Sequence, residues 1–230
     1  MTNSLRCLGE MLATFVGRAL GGGFFLLGRA RGRKALHPRG EVLQGVIGRR
    51  GAVGRTGVAW LDEAGTDHVA VRLSRSLGLT ARRPDILGMA LRIPTELGQF
   101  GDVLLATTGT GLLGRYVLLP ARRHGLRAYR SLFPYRTLAG PLLLAAIPTA
   151  GIPRLYELAY ARPTGPWLPF ATLEITQTTY RGHDVDLSFD PVLNIVPGLE
   201  TYHWAAQLRR FSYAASRRAR EHRNSQPTSQ

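Results

Sequence analysis

Cysteine is nearly absent from this chain of 230 residues, where Cys7 stands alone. A single thiol excludes an internal disulfide framework and any zinc or iron–sulfur site built on several cysteines. Lysine is just as scarce: Lys34 is the only one, and the other 29 basic residues are arginine. Acidic residues number 15 against 30 basic ones, leaving a formal net charge of +15. Long apolar runs are missing too. The N-terminal stretch from Ala19 to Gly28 falls short of the roughly 20 residues that span a bilayer. Most of its charge (Arg29, Arg31, Arg33, Lys34) follows the apolar part, although Glu10 and Arg18 precede it, whereas a signal peptide carries its positive charges first. No phosphate loop and no Gly-x-Ser-x-Gly elbow occurs. Gly109-Thr110-Gly111, followed by Gly114, has no clear helix start after it.

What is present is a folding composition, 44% hydrophobic and 20% charged. At this length a chain buries roughly 70% of its unfolded surface, enough for one domain with extra arms. The 27 Gly and 14 Pro point to many turns and short elements. The arginine excess is compatible with a coding bias and with three partners: nucleic acid, anionic lipid, or a buried anionic cofactor. The basic residues are scattered except at 29–39 and 209–223, and no nucleic-acid module is recognisable, so no nucleic-acid partner is expected.

Residues 1–36 read as an amphipathic arm, helical near Leu5 to Leu20, packed on its own domain or lying on an anionic membrane face. Strand-like runs follow: Glu41 to Gly48, His68 to Leu73, Ile86 to Pro94, Asp102 to Thr107, Arg115 to Leu119, Leu142 to Ile147, Leu155 to Ala161, Ala171 to Tyr180 and His183 to Phe189. The last two could form a hairpin through Arg181–Gly182. Glu200 to Arg223 contains no Gly or Pro and reads as a helix, ahead of a polar, disordered tail over 224–230. Many short strands between helical ends predict an α+β protein, an antiparallel β-barrel with flanking N- and C-terminal helices.

Taken singly, His37 reads as a turn residue before Pro38, Tyr213 as helix packing, and His183-Asp184 as ordinary strand sequence. Their order along the chain is more specific: His37-Pro38-Arg39-Gly40, then Val71-Arg72-Leu73-Ser74, Asp85 to Arg92, Asp102 to Thr107, Phe189-Asp190-Pro191 with Pro197-Gly198-Leu199-Glu200, and last Arg209-Arg210-Phe211-Ser212-Tyr213. This series resembles the haem-dependent catalases and the smaller catalase-related peroxidases. The likeness covers about residues 34–107 and 185–220 and is loose in the middle third.

The resemblance implies a catalase-like barrel over residues 37–223 that binds haem b. Tyr213 would be the proximal iron ligand. A phenol titrates near 10, and ferric iron and the Arg209 guanidinium at i−4 would favour its phenolate. His37 would be the distal base, oriented by Ser74. Arg72, Arg220 and Lys34 would neutralise the haem propionates, lysine without the bidentate fork of arginine. Catalases carry an asparagine just after the Asp102 segment. This chain has Ala106, Thr107 and Thr108, so a hydroxyl, that of Thr107, would stand in.

The expected activity is therefore a peroxidase acting on hydrogen peroxide or organic hydroperoxides, in the cytoplasm. Its partners would be the peroxide, an electron donor the sequence does not identify, and in some settings a second copy of the chain or a membrane face. The alternative is a degenerate catalase-fold barrel without haem chemistry, serving as a binding or membrane-associated module.

Overall fold

A computed structural model of the chain describes residues 39–205, except 77, 81, 96–97, 180–186 and 188. Among the described residues there are ten strands: β1 (Arg39–Arg49), β2 (Gly65–Arg75), β3 (Leu87–Pro94), β4 (Phe100–Thr107), β5 (Tyr129–Arg130), β6 (Tyr135–Thr137), β7 (Gly140–Pro148), β8 (Leu155–Ala161), β9 (Leu168–Thr179) and β10 (Glu200–Thr201). Two one-turn helices, α1 (Ala59–Asp62) and α2 (Gly111–Gly114), lie between them. Eight strands close a ring in the order β1-β2-β3-β4-β5-β7-β8-β9 and back to β1, every pairing antiparallel. The expected antiparallel barrel is present, while the two flanking helices fall largely on residues outside the described ones. Among the described residues no helix is long and apolar enough to cross a membrane.

The ring forms because its strands alternate. On β1, Leu43 and Ile47 are fully buried inside, while Gln44 and Gly48 face out. On β2, Val69, Val71 and Leu73 enter the same core, as do Leu87, Met89, Leu91 and Ile93 of β3. Period-two patterning of this kind turns one face of every strand toward the axis. The interior is filled by side chains. A residual space lined by Trp60, Leu91, Val103, Leu144 and Phe170 amounts to about 10 Å³, the size of one water site.

Two segments close one end of the barrel. α1 inserts Leu61, flanked by Val58, and both are fully buried. Asp62 holds the approach to α1, accepting from the Thr56 hydroxyl at 2.7 Å and from the Thr56 and Gly57 amides. The Pro197–Leu199 turn packs against this approach. Gly198 has φ +83°, and a Cβ there would meet the Gly57 carbonyl at 3.2 Å and Val58 at 3.3 Å. Glycine is therefore required both by conformation and by contact.

The strand readings hold for the long elements. The segment 115–119 is not a strand. It follows α2 as a turn, with Arg115 N–H donating to Gly111 O and only an isolated bridge from Thr108 to Leu118. Its apolar residues gain little from pairing, because Leu112 and Leu113 before it and Val117 within it face solvent. The two- and three-residue strands β5, β6 and β10 were not foreseen, since they are too short to show a period. Of the proposed Arg181–Gly182 hairpin, the turn and most of its second strand lie outside the described residues. Leu187 and Phe189 are in irregular backbone.

Candidate functional site

The outer face of β1–β4 carries the residues that the motif series singled out. Antiparallel registers align them in rows. One row is Gly40, Ser74, Gly88 and Ala106; the next is Val42, Arg72, Ala90 and Leu104; a third is Gln44, Ala70, Arg92 and Asp102. The first row is nearly flat, because it offers only two hydrogens, a hydroxymethyl and a methyl. Ser74 and Gly88 are buried, and Arg72 is half-buried. The Arg72 guanidinium lies directly over Gly40, where an added Cβ would come within 2.7 Å of its central carbon. Gly40 thus leaves a cradle that any other residue would fill.

Asp102 organises the adjoining part of this face. Its carboxylate is fully buried and accepts four hydrogen bonds. Arg92 donates Nε and Nη2 in a fork, both at 2.9 Å. The Asp190 amide donates at 2.8 Å and the Asn194 side-chain amide at 2.7 Å. The Asp102 amide in turn donates to the Asn194 carbonyl. A buried charge must be paired and hydrogen-bonded to persist, and this one is. Asp190 folds its own segment by accepting from the Val192 and Leu193 amides. Phe189 is then held against Val42, Ala70 and Ala90, with the Arg92 guanidinium 4.8 Å from its ring centre. The Phe-Asp-Pro segment is therefore docked beside Arg72, although 88 residues separate Asp190 from Asp102.

The site residues expected from sequence divide into three groups. Arg72 and Ser74 share the outer face, two residues apart on β2. Thr107 does not join them. It lies on the inner side of β4 in phase with Val103 and Leu105, donates its hydroxyl to Leu119 O at 2.8 Å, and accepts from the Leu87 amide at 3.1 Å. Strand alternation puts Ala106 on the outer face instead. Lys34, His37, Arg209, Tyr213 and Arg220 lie outside the described residues, as do the arm over 1–36 and the tail over 224–230.

Haem b would have to lie against this outer face, because the barrel interior is filled. The described residues that would meet its charged edge are a guanidinium over a glycine cradle, beside a row without bulk. Among the described residues no group of three or more His, Cys, Asp or Glu could hold a metal ion.

A second polar cluster, absent from the sequence reading, lies where β5 meets the β8–β9 connection. Arg115 and Arg130 are both buried, and their guanidinium carbons lie 5.1 and 5.5 Å from the Trp167 ring centre. Nothing in the sequence analysis named either arginine as a partner of Trp167. No protein-family model matches the chain, and no curated protein matches it.

Proposed function

We propose that this protein is a catalase-like haem peroxidase acting on hydrogen peroxide or organic hydroperoxides, and that it works in the cytoplasm. One observation carries the reading. Segments recognised separately by sequence, those of Arg72 and Ser74, Arg92, Asp102 and Phe189–Asp190, share one face of the barrel, where Arg92 and the Asp190 amide meet on the buried Asp102 carboxylate. A chance scatter of short motifs has no reason to do so.

Ferric haem, when bound, would supply the redox chemistry of peroxide cleavage. Tyr213 would hold the iron as phenolate, with Arg209 one helical turn away lowering the cost of ionisation. His37 would accept the proton of the incoming hydroperoxide and return it to the departing oxygen, which requires a neutral imidazole. Ser74 would orient that imidazole. Arg72, with Lys34 and Arg220, would neutralise the propionates. Thr107 has no part in this, since its hydroxyl is engaged within the wall. With Ala106 at the outer position, the face presents a methyl where disproportionation calls for an amide donor, so peroxidase chemistry is favoured over catalase chemistry.

An absorbance scan after haem reconstitution tests the proposal. A Soret band with a tyrosinate-type ferric spectrum is expected. It should vanish in Tyr213→Phe and persist in His37→Ala, whose reaction with peroxide should be slower. A folded protein that takes up no haem would leave a barrel without this chemistry.

A further inference from the structure

Arg115 and Arg130 are two buried cations beside one indole, and among the described residues neither has a carboxylate partner. Arg115 is committed to the backbone: Nε donates to Gly111 O, and Nη1 to the carbonyls of Arg162 and Gly165 at 3.3 and 3.0 Å. Tyr116 donates to Pro163 O at 2.9 Å, so the 162–167 connection that carries Trp167 is held from two sides. Arg130 uses Nη1 alone, donating to the Thr108 hydroxyl at 3.0 Å and to Gly109 O at 2.7 Å. Its Nε is buried without any acceptor. The Nε–Nη2 edge is the one that meets an oxyanion in a bidentate fork.

An orphaned donor on a buried cation costs free energy that an arriving acceptor recovers. Two guanidinium groups without a protein acid call for a ligand with two negative charges. We propose that Arg130 and Arg115, beside Trp167, form a binding site for a dianionic phosphate group, gripped by the Nε–Nη2 edge of Arg130. Burial, and then the charge of Arg115, push the Arg130 guanidinium below its ordinary value, as expected for a cation lacking its counterion. The phosphate could arrive as a small soluble phosphate or as a lipid headgroup. α2, whose last turn leads into Arg115, presents Leu112 at 54% exposure and Leu113 at 83%, which is the apolar tip a lipid source would use. This site is independent of the haem reading.

The test is calorimetric titration of the full-length protein with inorganic phosphate, at ionic strength matched with chloride. Saturable binding is expected. It should weaken about tenfold or more in Arg130→Gln, the loss of a charge-assisted fork. Arg130→Lys keeps the charge but not the fork, and guards against an unfolded Arg130→Gln; it should also bind more weakly, with an unchanged melting temperature. Sedimentation with phosphatidic acid vesicles, against phosphatidylcholine vesicles, separates the sources. A lipid headgroup predicts sedimentation lost in Leu113→Asp with phosphate titration intact, and a soluble phosphate predicts none beyond that given by phosphatidylglycerol vesicles of the same charge. No saturable phosphate binding, or binding that is equal in the wild type and both Arg130 variants, overturns the proposal.

Discussion

Arg92 closes on Asp102 through two parallel N–H···O bonds of 2.9 Å each, across neighbouring strands β3 and β4. Because the carboxylate also accepts from Asp190 and Asn194, this pair fastens an irregular segment to the barrel wall. Asp102→Asn removes the charge but keeps the shape, taking away the buried carboxylate that Arg92 grips with its fork. Breaking a buried pair in this way costs about 3–5 kcal/mol. Urea unfolding should show a loss of that order, and limited proteolysis should cut near residues 189–194. A change within about 0.5 kcal/mol, typical of an unremarkable surface site, would mean that the segment is held by something else.

Gly101 offers a second check on the same region. A Cβ there would meet the backbone of Val196 at 2.8 Å, and the backbone cannot swing aside as a side-chain tip can. Gly101→Ala should therefore cost about 1–3 kcal/mol by overpacking. The measurement is the unfolding midpoint, with Gly48→Ala as a control, since a Cβ at Gly48 meets nothing within 4 Å.

Gly40→Ala separates stability from binding. The three atoms nearest the added methyl all belong to the movable end of Arg72, so the unfolding free energy should stay within about 1 kcal/mol of wild type. The guanidinium, however, must leave its cradle. On the haem reading, titration with haem should show weaker uptake in Gly40→Ala and in Arg72→Gln. Equal uptake in all three proteins would remove Arg72 from the site.

His124 introduces a pH dependence. Its Nδ1 is 2.7 Å from the Tyr129 hydroxyl, and burial, followed by the charge of Arg75, lowers its pKa from 6.5 to about 4. Burial likewise raises the pKa of Tyr129. Between about pH 6.5 and 4 the unfolded chain binds the histidine proton and the folded chain does not. The contribution of neutral His124 is therefore complete above pH 6.5 and is lost as the pH falls through that window, by about 3 kcal/mol in all. Denaturant unfolding across this range should show the loss in wild type and a shallower slope in His124→Gln.

Leu61 plugs the barrel end from α1 and is fully buried. Leu61→Ala should cost about 2–5 kcal/mol, the lost transfer free energy plus the cavity left behind. Thermal unfolding measures it. A smaller cost would indicate that α1 collapses into the space.

The long strands were legible because each repeats an apolar residue at every second position, as Val69, Val71 and Leu73 do. The run after Arg115 misled for a related reason. Its apolar residues resemble a strand in composition, but Gly111 has φ +73° and α2 turns the chain before pairing can extend. The Asp102 network was legible only as separate segments, those of Asp102 and of Phe189-Asp190-Pro191. Their contact, and the part of Asn194 in it, depends on the chain bringing them together over a separation of about 90 positions.

By itself the sequence determined that this would be a β-rich, arginine-charged, thiol-poor domain with alternating strands, and it set the order of the motif segments along them. Only the tertiary structure decided which side of each strand faces inward. Val103-Leu104-Leu105 is apolar on both faces, so β4 had two possible phases until the ring closed. Closure put Thr107 into the wall and Ala106 on the outer face, and it turned Arg72 and Ser74 outward together. It also brought Arg115 and Arg130 to Trp167, since residues far apart in the chain can share a ring only once the strands between them have paired.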